Sequence, residues 1–229
     1  MGRALILAAG RGERMRPLTD EIPKPLLPVG GLPLIDWQAR RLAEAGFREL
    51  VINHSHLGSK IESALGDGAR YGATIRYSHE ATALETAGGV VHALELLGDE
   101  PFVVVSADIY TTFDYATLAA RVAAIARDPR RTVAHLVMVA NPAWHAGGDD
   151  MGLRDGRTVR GAERLTYGNI AVFHPEIFHG IAPNVPLKLF PWLYRFVDEG
   201  RVSGELFSGT WENIGTPAQL ADLDRRLTR

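Results

Sequence analysis

Short apolar runs alternate with amphipathic stretches over the first 140 residues of the chain. Arg3–Ala8 predicts a buried strand, and Leu34–Ala45, with apolar positions at helical spacing, a helix closed by Gly46. Glu49–Asn53 predicts a second strand, Gly58–Leu65 a short helix closed by Gly66, and Ile75–Ser78 a third strand. Ala87–Leu97 predicts a helix closed by Gly98, with Thr86 as its cap. Phe102–Ser106 is the most continuous apolar run and predicts a fourth strand, followed by a helix at Tyr115–Ala126 and a strand at Val133–Val139. Alternation of this kind predicts an α/β fold, with a mainly parallel sheet flanked by helices on both faces.

After Asn141-Pro142 the pattern changes. Gly147–Asp150 and Asp155-Gly156 are turn signals around short polar strands. Thr166–Phe173 and Val202–Phe207 predict strands, Leu187–Glu199 a helix, and Pro217–Leu227 a last amphipathic helix capped by Thr216. No repeat or linker interrupts the 229 residues, so a single domain is expected, its antiparallel second half finishing the sheet.

Composition narrows the partners. A formal net charge of −2 gives no global attraction to nucleic acid or an acidic membrane. The absence of cysteine excludes disulfides, thiolate catalysis and cysteine-bound metal. No apolar segment approaches the roughly 20 residues of a membrane span, and the apolar start lacks a cleavage site. A cytoplasmic protein, monomeric or weakly homodimeric, is expected.

Candidate chemistry begins where the first strand ends. Gly10 and Gly12 let backbone amides approach a ligand, while Arg11, Arg14, Arg16 and Lys24 surround them with positive charge. A dinucleotide fingerprint is a poor match, because Met15 holds the third glycine position and Asn53 stands where an acid would hold a ribose. No Walker lysine follows either. Lys24, fixed between Pro23 and Pro25, favours a phosphate cradle over a solvated turn.

Asp108 places a carboxylate at the C-terminal end of a central strand, the edge where open α/β sheets bind ligands. It suits Mg²⁺, which uses one or two carboxylates and bridges phosphate oxygens. Glu80 could accept the N3–H of uracil or thymine, and Gly88-Gly89 allow close backbone approach. Glu212 and Asn213, before the last helix, offer a carboxylate and an amide for a second metal contact. His54 and His56 face one side of a strand, but without a third ligand they read as structural or substrate-lining. Trp37, Trp192 and Tyr194 read as core.

Together, Leu7–Arg16, Pro23-Lys24-Pro25, Leu84–Gly89, the strand ending at Asp108 and Trp211–Thr216 resemble the sugar-1-phosphate nucleotidylyltransferases in order and spacing across the chain. The resemblance implies a Rossmann-like, GT-A-like fold with a nucleotide-binding half, 1–140, and a sugar-phosphate-binding half, 141–229. It implies that Ala8, Ala9, Gly10, Gly12, Glu13, Arg14, Met15, Lys24, Glu80, Glu85 and Gly88 surround the nucleotide. Arg14 and Lys24 would hold the phosphates, Glu80 would read the base, and Asp108 would bind Mg²⁺ together with Asn213. Asp108, Asp150, Tyr167, Gly168, Asn169 and Glu212 would serve the sugar phosphate.

The short form and the Leu-Glu-Thr-x-Gly-Gly variant resemble the uridylyltransferases of cell-wall recycling, which implies UTP and N-acetylmuramate 1-phosphate as substrates. Two positions depart from the family pattern: Ala107 replaces a glycine, and Asn213 an aspartate. Another sugar phosphate or nucleotide, such as GTP with mannose 1-phosphate or dTTP with glucose 1-phosphate, stays open, as does a catalytically weak nucleotide-sugar sensor. Arg154, Arg157 and Lys188 are the cations that could meet a lactyl carboxylate.

Overall fold

The computed structural model describes residues 2–161 and 163–228. Its strands are β1 (Arg3–Leu7), β2 (Pro28–Val29), β3 (Leu32–Pro33), β4 (Glu49–His54), β5 (Thr74–His79), β6 (Phe102–Ser106), β7 (Ile109–Thr111), β8 (Ala134–Val139), β9 (Gly152–Arg154), β10 (Arg157–Val159), β11 (Thr166–Phe173), β12 (Val202–Phe207) and β13 (Trp211–Asn213). The helices are α1 (Leu34–Glu44), α2 (Gly58–Leu65), α3 (Glu85–Leu97), α4 (Leu118–Arg127), α5 (Leu189–Trp192), α6 (Tyr194–Asp198) and α7 (Pro217–Leu227).

Nine strands form one sheet in the order β5-β4-β1-β6-β11-β8-β12-β10-β9. From β5 to β6 all pairings are parallel, as the βα alternation predicts. β11 then enters antiparallel between β6 and β8, so the strand at 134–139 is not the next parallel neighbour of β6. β12 returns parallel to β8, and the β9–β10 hairpin closes the edge. Both halves of the chain therefore share one mixed sheet.

The continuous apolar runs have a direct cause: the sheet is buried on both faces. Ala4 and Ile6 of β1 pack with Ile35, Ala39 and Leu42 of α1, whereas Leu5 points the other way, to Ala87, Val90 and Leu97 of α3. Val103 and Val105 repeat this division against Phe102 and Val104 on β6.

Two expected elements differ. α3 begins at Glu85, and Thr86 is not its cap, because the amides of Ala87 and Gly88 donate to the carbonyl of Leu187 at 2.9 and 3.1 Å. The expected helix over 187–199 is broken into α5 and α6. Within α5 the chain is kinked as well, since Phe190 before Pro191 is extended (φ −101°, ψ 135°), the conformation a following proline favours. The capping of α7 is as expected, with Thr216 accepting from the amide of Gln219.

Buried histidines make stability depend on acid. Burial holds the imidazoles of His54, His135 and His174 below the usual histidine range, despite Glu62 beside His54 and Glu205 beside His135. The unfolded chain protonates these rings near pH 6.5 while the fold resists it. Their contribution is therefore complete above that pH and is lost as pH falls through the depressed folded values. Burial raises the carboxyl of Glu80, which acts with the opposite sign, but it is one group against three. Tm is expected to fall between pH 7.5 and 5.5, by about 2–4 °C for each kcal/mol lost. Melting a His135→Gln variant should give a flatter profile, and a wild-type Tm constant over this range would contradict the assignment.

Candidate active site

The C-terminal ends of β1, β4 and β6 open into a cleft of about 510 Å³. Ala8, Ala9, Gly10, Arg11, Gly12, Glu13, Arg14 and Lys24 form one wall, and Asn53, Glu80, Ala83, Glu85, Thr86, Ser106, Ala107, Asp108 and Gly215 complete it. Of the residues assigned to the nucleotide from sequence, the fold gathers all but Met15 and Gly88 around this one space.

Gly12 is demanded by the fold. Its φ is +68°, and a Cβ there would sit 3.0 Å from Cβ of Lys24. Its carbonyl accepts from the Met15 amide at 2.9 Å and from Thr19 Oγ1 at 2.8 Å, which sets a 3₁₀ turn over Glu13–Met15. Gly10 is different, since it has open space where a Cβ would stand and no left-handed backbone. Met15 is fully buried with Leu27, Val29, Leu34 and Ile214, and so anchors the loop from below rather than lining the cleft. Arg14 lies over Gly215, where a Cβ would meet its guanidinium at 3.1 Å. Arg16 instead turns to Asp20 at 3.1 Å.

Lys24 reaches the cleft floor from a 3₁₀ turn over Lys24–Leu26 and donates to Asp108 Oδ2 at 2.5 Å. The Lys24 side chain is 10% exposed and that of Asp108 30%, so the pair is shielded but open on the carboxylate side. The short strand β7 leaves Asp108 for an antiparallel pairing with β13, which sets Asn213 opposite Ile109. The Ile214 amide donates to the Asp108 carbonyl at 2.8 Å. Glu212 and Asn213 fall on opposite faces of β13 by strand alternation. Glu212 is ion-paired with Arg226 at 2.5 Å and is thereby committed to α7.

Among the described residues no three His, Asp or Glu side chains converge as a metal cage. Asp108 lines the cleft whereas Asn213 does not, lying on the strand paired with β7; a single carboxylate of this kind fits an ion that brings other ligands with it. Mg²⁺, which keeps waters and takes substrate phosphate oxygens, has this preference.

Asn53 is the residue that sequence reading undervalued, having been read only as the lack of an acid. Its Oδ1 accepts from the Ala8 amide at 2.8 Å, and its Nδ2 donates to Glu80 Oε1 at 2.7 Å. Glu80 Oε2 accepts from the Leu84 amide at 2.8 Å. A buried polar chain thus ties the loop after β1 to the ends of β4 and β5 and to the start of α3. Its only sequence signal was a polar side chain closing a buried strand. Gly89 makes room for this chain, since a Cβ there would lie 2.7 Å from both partners. Gly88 packs instead against the Val185 carbonyl, away from the cleft, so the expected approach of its backbone to a nucleotide is not what this glycine permits. Glu85 lines the cleft with φ +60° at the first turn of α3.

Of the residues assigned to the sugar phosphate, Asp108 lines the cleft and the others lie outside its wall. Asp150 bridges Arg160 and Arg164 at 3.2 and 3.1 Å. Tyr167 is buried, its ring edge-on to Phe190, and burial pushes its phenol well above the usual range. A register shift in β11 between Tyr167 and Ala171 contains Gly168 and Asn169, the latter left-handed at φ +55°. Gly168 is held by Trp211, whose Nε1 donates to its carbonyl at 2.8 Å. Arg157 donates to Thr132 Oγ1 at 2.9 Å and is not turned to a ligand. His54 meets Glu62 at 2.7 Å and is 1% exposed, in keeping with a structural role.

Comparison with known proteins agrees with this geometry. The sequence model of the nucleotidyl transferase family matches residues 3–144. The N-acetylmuramate alpha-1-phosphate uridylyltransferase of Neisseria meningitidis is 46% identical over 224 residues, covering 96% of each chain. The enzyme of the same name from Caulobacter vibrioides is 33% identical over 98% of this chain and 96% of its own. Among solved structures, a candidate glucose-1-phosphate thymidylyltransferase from Bacillus anthracis superposes with a TM-score of 0.82 over 100% of this chain and 96% of that one. At 19% identity that likeness establishes the fold. No helix among the described residues is long and apolar enough to cross a membrane. By its sequence over more than half its length, and by full-length relatives that share it, the chain belongs to the nucleotidyl transferase family.

Proposed function

We propose that the protein transfers a uridylyl group from UTP to N-acetylmuramate 1-phosphate, releasing pyrophosphate and forming the UDP-sugar. The carrying observation is the convergence of Arg14, Lys24 and Asp108 on one cleft, in a chain 46% identical over 96% of its length to a uridylyltransferase acting on that sugar phosphate. The nucleotide belongs to the half formed by residues 1–140, and the sugar phosphate approaches from 141–229.

Triphosphate oxygens lie against the amides of residues 9–14, and the unforced glycine at Gly10 leaves the space for them. Arg14 holds the outer phosphates and Lys24 the reacting ones. Glu80 keeps a second lone pair on each oxygen beyond its bonds to Asn53 and Leu84, enough to accept the uracil N3–H. Asp108 and Asn213 would hold Mg²⁺, which when bound neutralises phosphate charge.

A phosphate oxygen of the acceptor attacks the α-phosphorus as the bond to the pyrophosphate oxygen breaks. The acceptor phosphate, with a second pKa of about 6, is already ionised, so no general base is required. Lys24, held on the cleft floor by Asp108, offsets the charge that passes to pyrophosphate. Catalysis then reduces to holding two anions in line within a cationic cleft.

Pyrophosphate release over a panel of UTP, GTP, CTP and dTTP with several sugar 1-phosphates in Mg²⁺ tests this reading. UTP with N-acetylmuramate 1-phosphate should exceed every other pair. Another best pair would reassign the substrate, and tight UDP-sugar binding without turnover would make the protein a sensor.

A further inference from the structure

Trp144 is 53% exposed, although exposing an indole sacrifices favourable burial. A lone exposed apolar side chain needs no explanation, but this one is held in place. It rides on a 3₁₀ turn, Ala143–His145, whose flanks are fastened to β11. Asn141 Nδ2 donates to the Arg164 carbonyl at 2.9 Å, and Asn141 Oδ1 accepts from Thr166 Oγ1 at 2.9 Å. Asp149 Oδ2 accepts from the Tyr167 amide at 2.6 Å, and the Asp149 amide donates to the Leu165 carbonyl at 2.9 Å.

Trp144 stacks on two rings. Its centroid lies 6.5 Å from Trp211 at an interplanar angle of 29°, and 5.8 Å from His145 at 28°. Trp211 is itself oriented by its bond to the Gly168 carbonyl. On β13, Trp211 shares a strand face with Asn213 two residues on, a separation of about 7 Å. From Arg14 over Gly215, the chain runs back past Asn213 to Trp211 and away from the glycine loop. An aromatic surface thus starts on the strand paired with the one that follows Asp108, Trp211 standing opposite Thr111 three residues beyond that carboxylate.

We propose that Trp144, stacked on Trp211, is the platform on which the pyranose ring of the acceptor sugar phosphate lies. This rests on the transferase reading above. The C–H-lined face of a pyranose is apolar while its rim is hydroxylated, and an indole offers a flat apolar surface to match. The fixed loop supplies that surface in advance, so contact with the non-reacting part of the acceptor positions its phosphate at the α-phosphorus. Trp144 is therefore a residue for acceptor affinity and not for the nucleotide.

Steady-state kinetics of Trp144→Ala, Trp144→Phe and wild type, with each substrate varied in turn, test it. In Trp144→Ala, KM for the sugar 1-phosphate should rise roughly tenfold while KM for UTP stays within about twofold. Trp144→Phe should recover most of the loss. Titrating the sugar 1-phosphate into wild type should also perturb tryptophan fluorescence, and the perturbation should shrink in Trp144→Ala. Wild-type turnover with an unchanged acceptor KM in Trp144→Ala overturns the platform alone. A wild type that turns over no sugar phosphate overturns the transferase reading, and the platform with it.

Discussion

Asp108→Ala is expected to lower pyrophosphate release about 10³-fold, equivalent to about 4 kcal/mol of transition-state stabilisation. The carboxylate does two things that no neighbour can take over. In the proposed site it would give a divalent ion its anionic protein ligand, because Glu212 is tied to Arg226 and Asn213 carries no charge. It also holds the ammonium of Lys24 at 2.5 Å on the cleft floor. Nucleotide binding should partly survive, since the amides of residues 9–14 and Arg14 are untouched. Fluorescence or calorimetric titration with UTP, alongside a turnover assay, separates the two effects. Turnover within tenfold of wild type would remove Asp108 from the metal assignment.

Lys24→Ala is expected to cut kcat by about 10²–10³-fold, with a smaller change in UTP affinity. The ammonium is shielded between prolines and the cleft floor, where a charge acts through a poorer dielectric than water. Arg14 is placed over Gly215 and not on Asp108, so it does not take the place of the ammonium. Because Lys24 and Asp108 are in direct contact, the double variant should lose far less than the product of the two single losses. Strictly multiplicative losses would mean that the two groups act separately. Folding should be little affected in Lys24→Ala, since it leaves a carboxylate that already faces cleft water.

The first 140 residues were legible because a buried parallel strand and an amphipathic helix impose different periods on sequence. β6 and α2 fell at the expected residues for that reason, as did β11 and β12 in the second half. Glycine gave the helix ends, with Gly46, Gly66 and Gly98 all at positive φ. Elements of two or three residues carry no period, so β7 went unread, although its pairing with β13 brings Asn213 to the strand that follows Asp108. The glycines of α3 show a different limit. Gly88 and Gly89 signal close approach, but sequence cannot say by what, and the partners are Val185 and the Asn53–Glu80 pair.

The α/β class, the phosphate-type loop after β1, the lysine between two prolines and the carboxylate at the end of β6 are legible in the residues alone. These are local consequences of backbone freedom, charge and strand length. Only the tertiary structure decided what long-range pairing controls. It set β11 between β6 and β8, turned Glu212 outward to Arg226, buried Met15 beneath the loop, and made Asn53 the link between Ala8 and Glu80. Each of these depends on contacts between residues at least 12 apart in sequence, for which the local hydrophobic pattern holds no information.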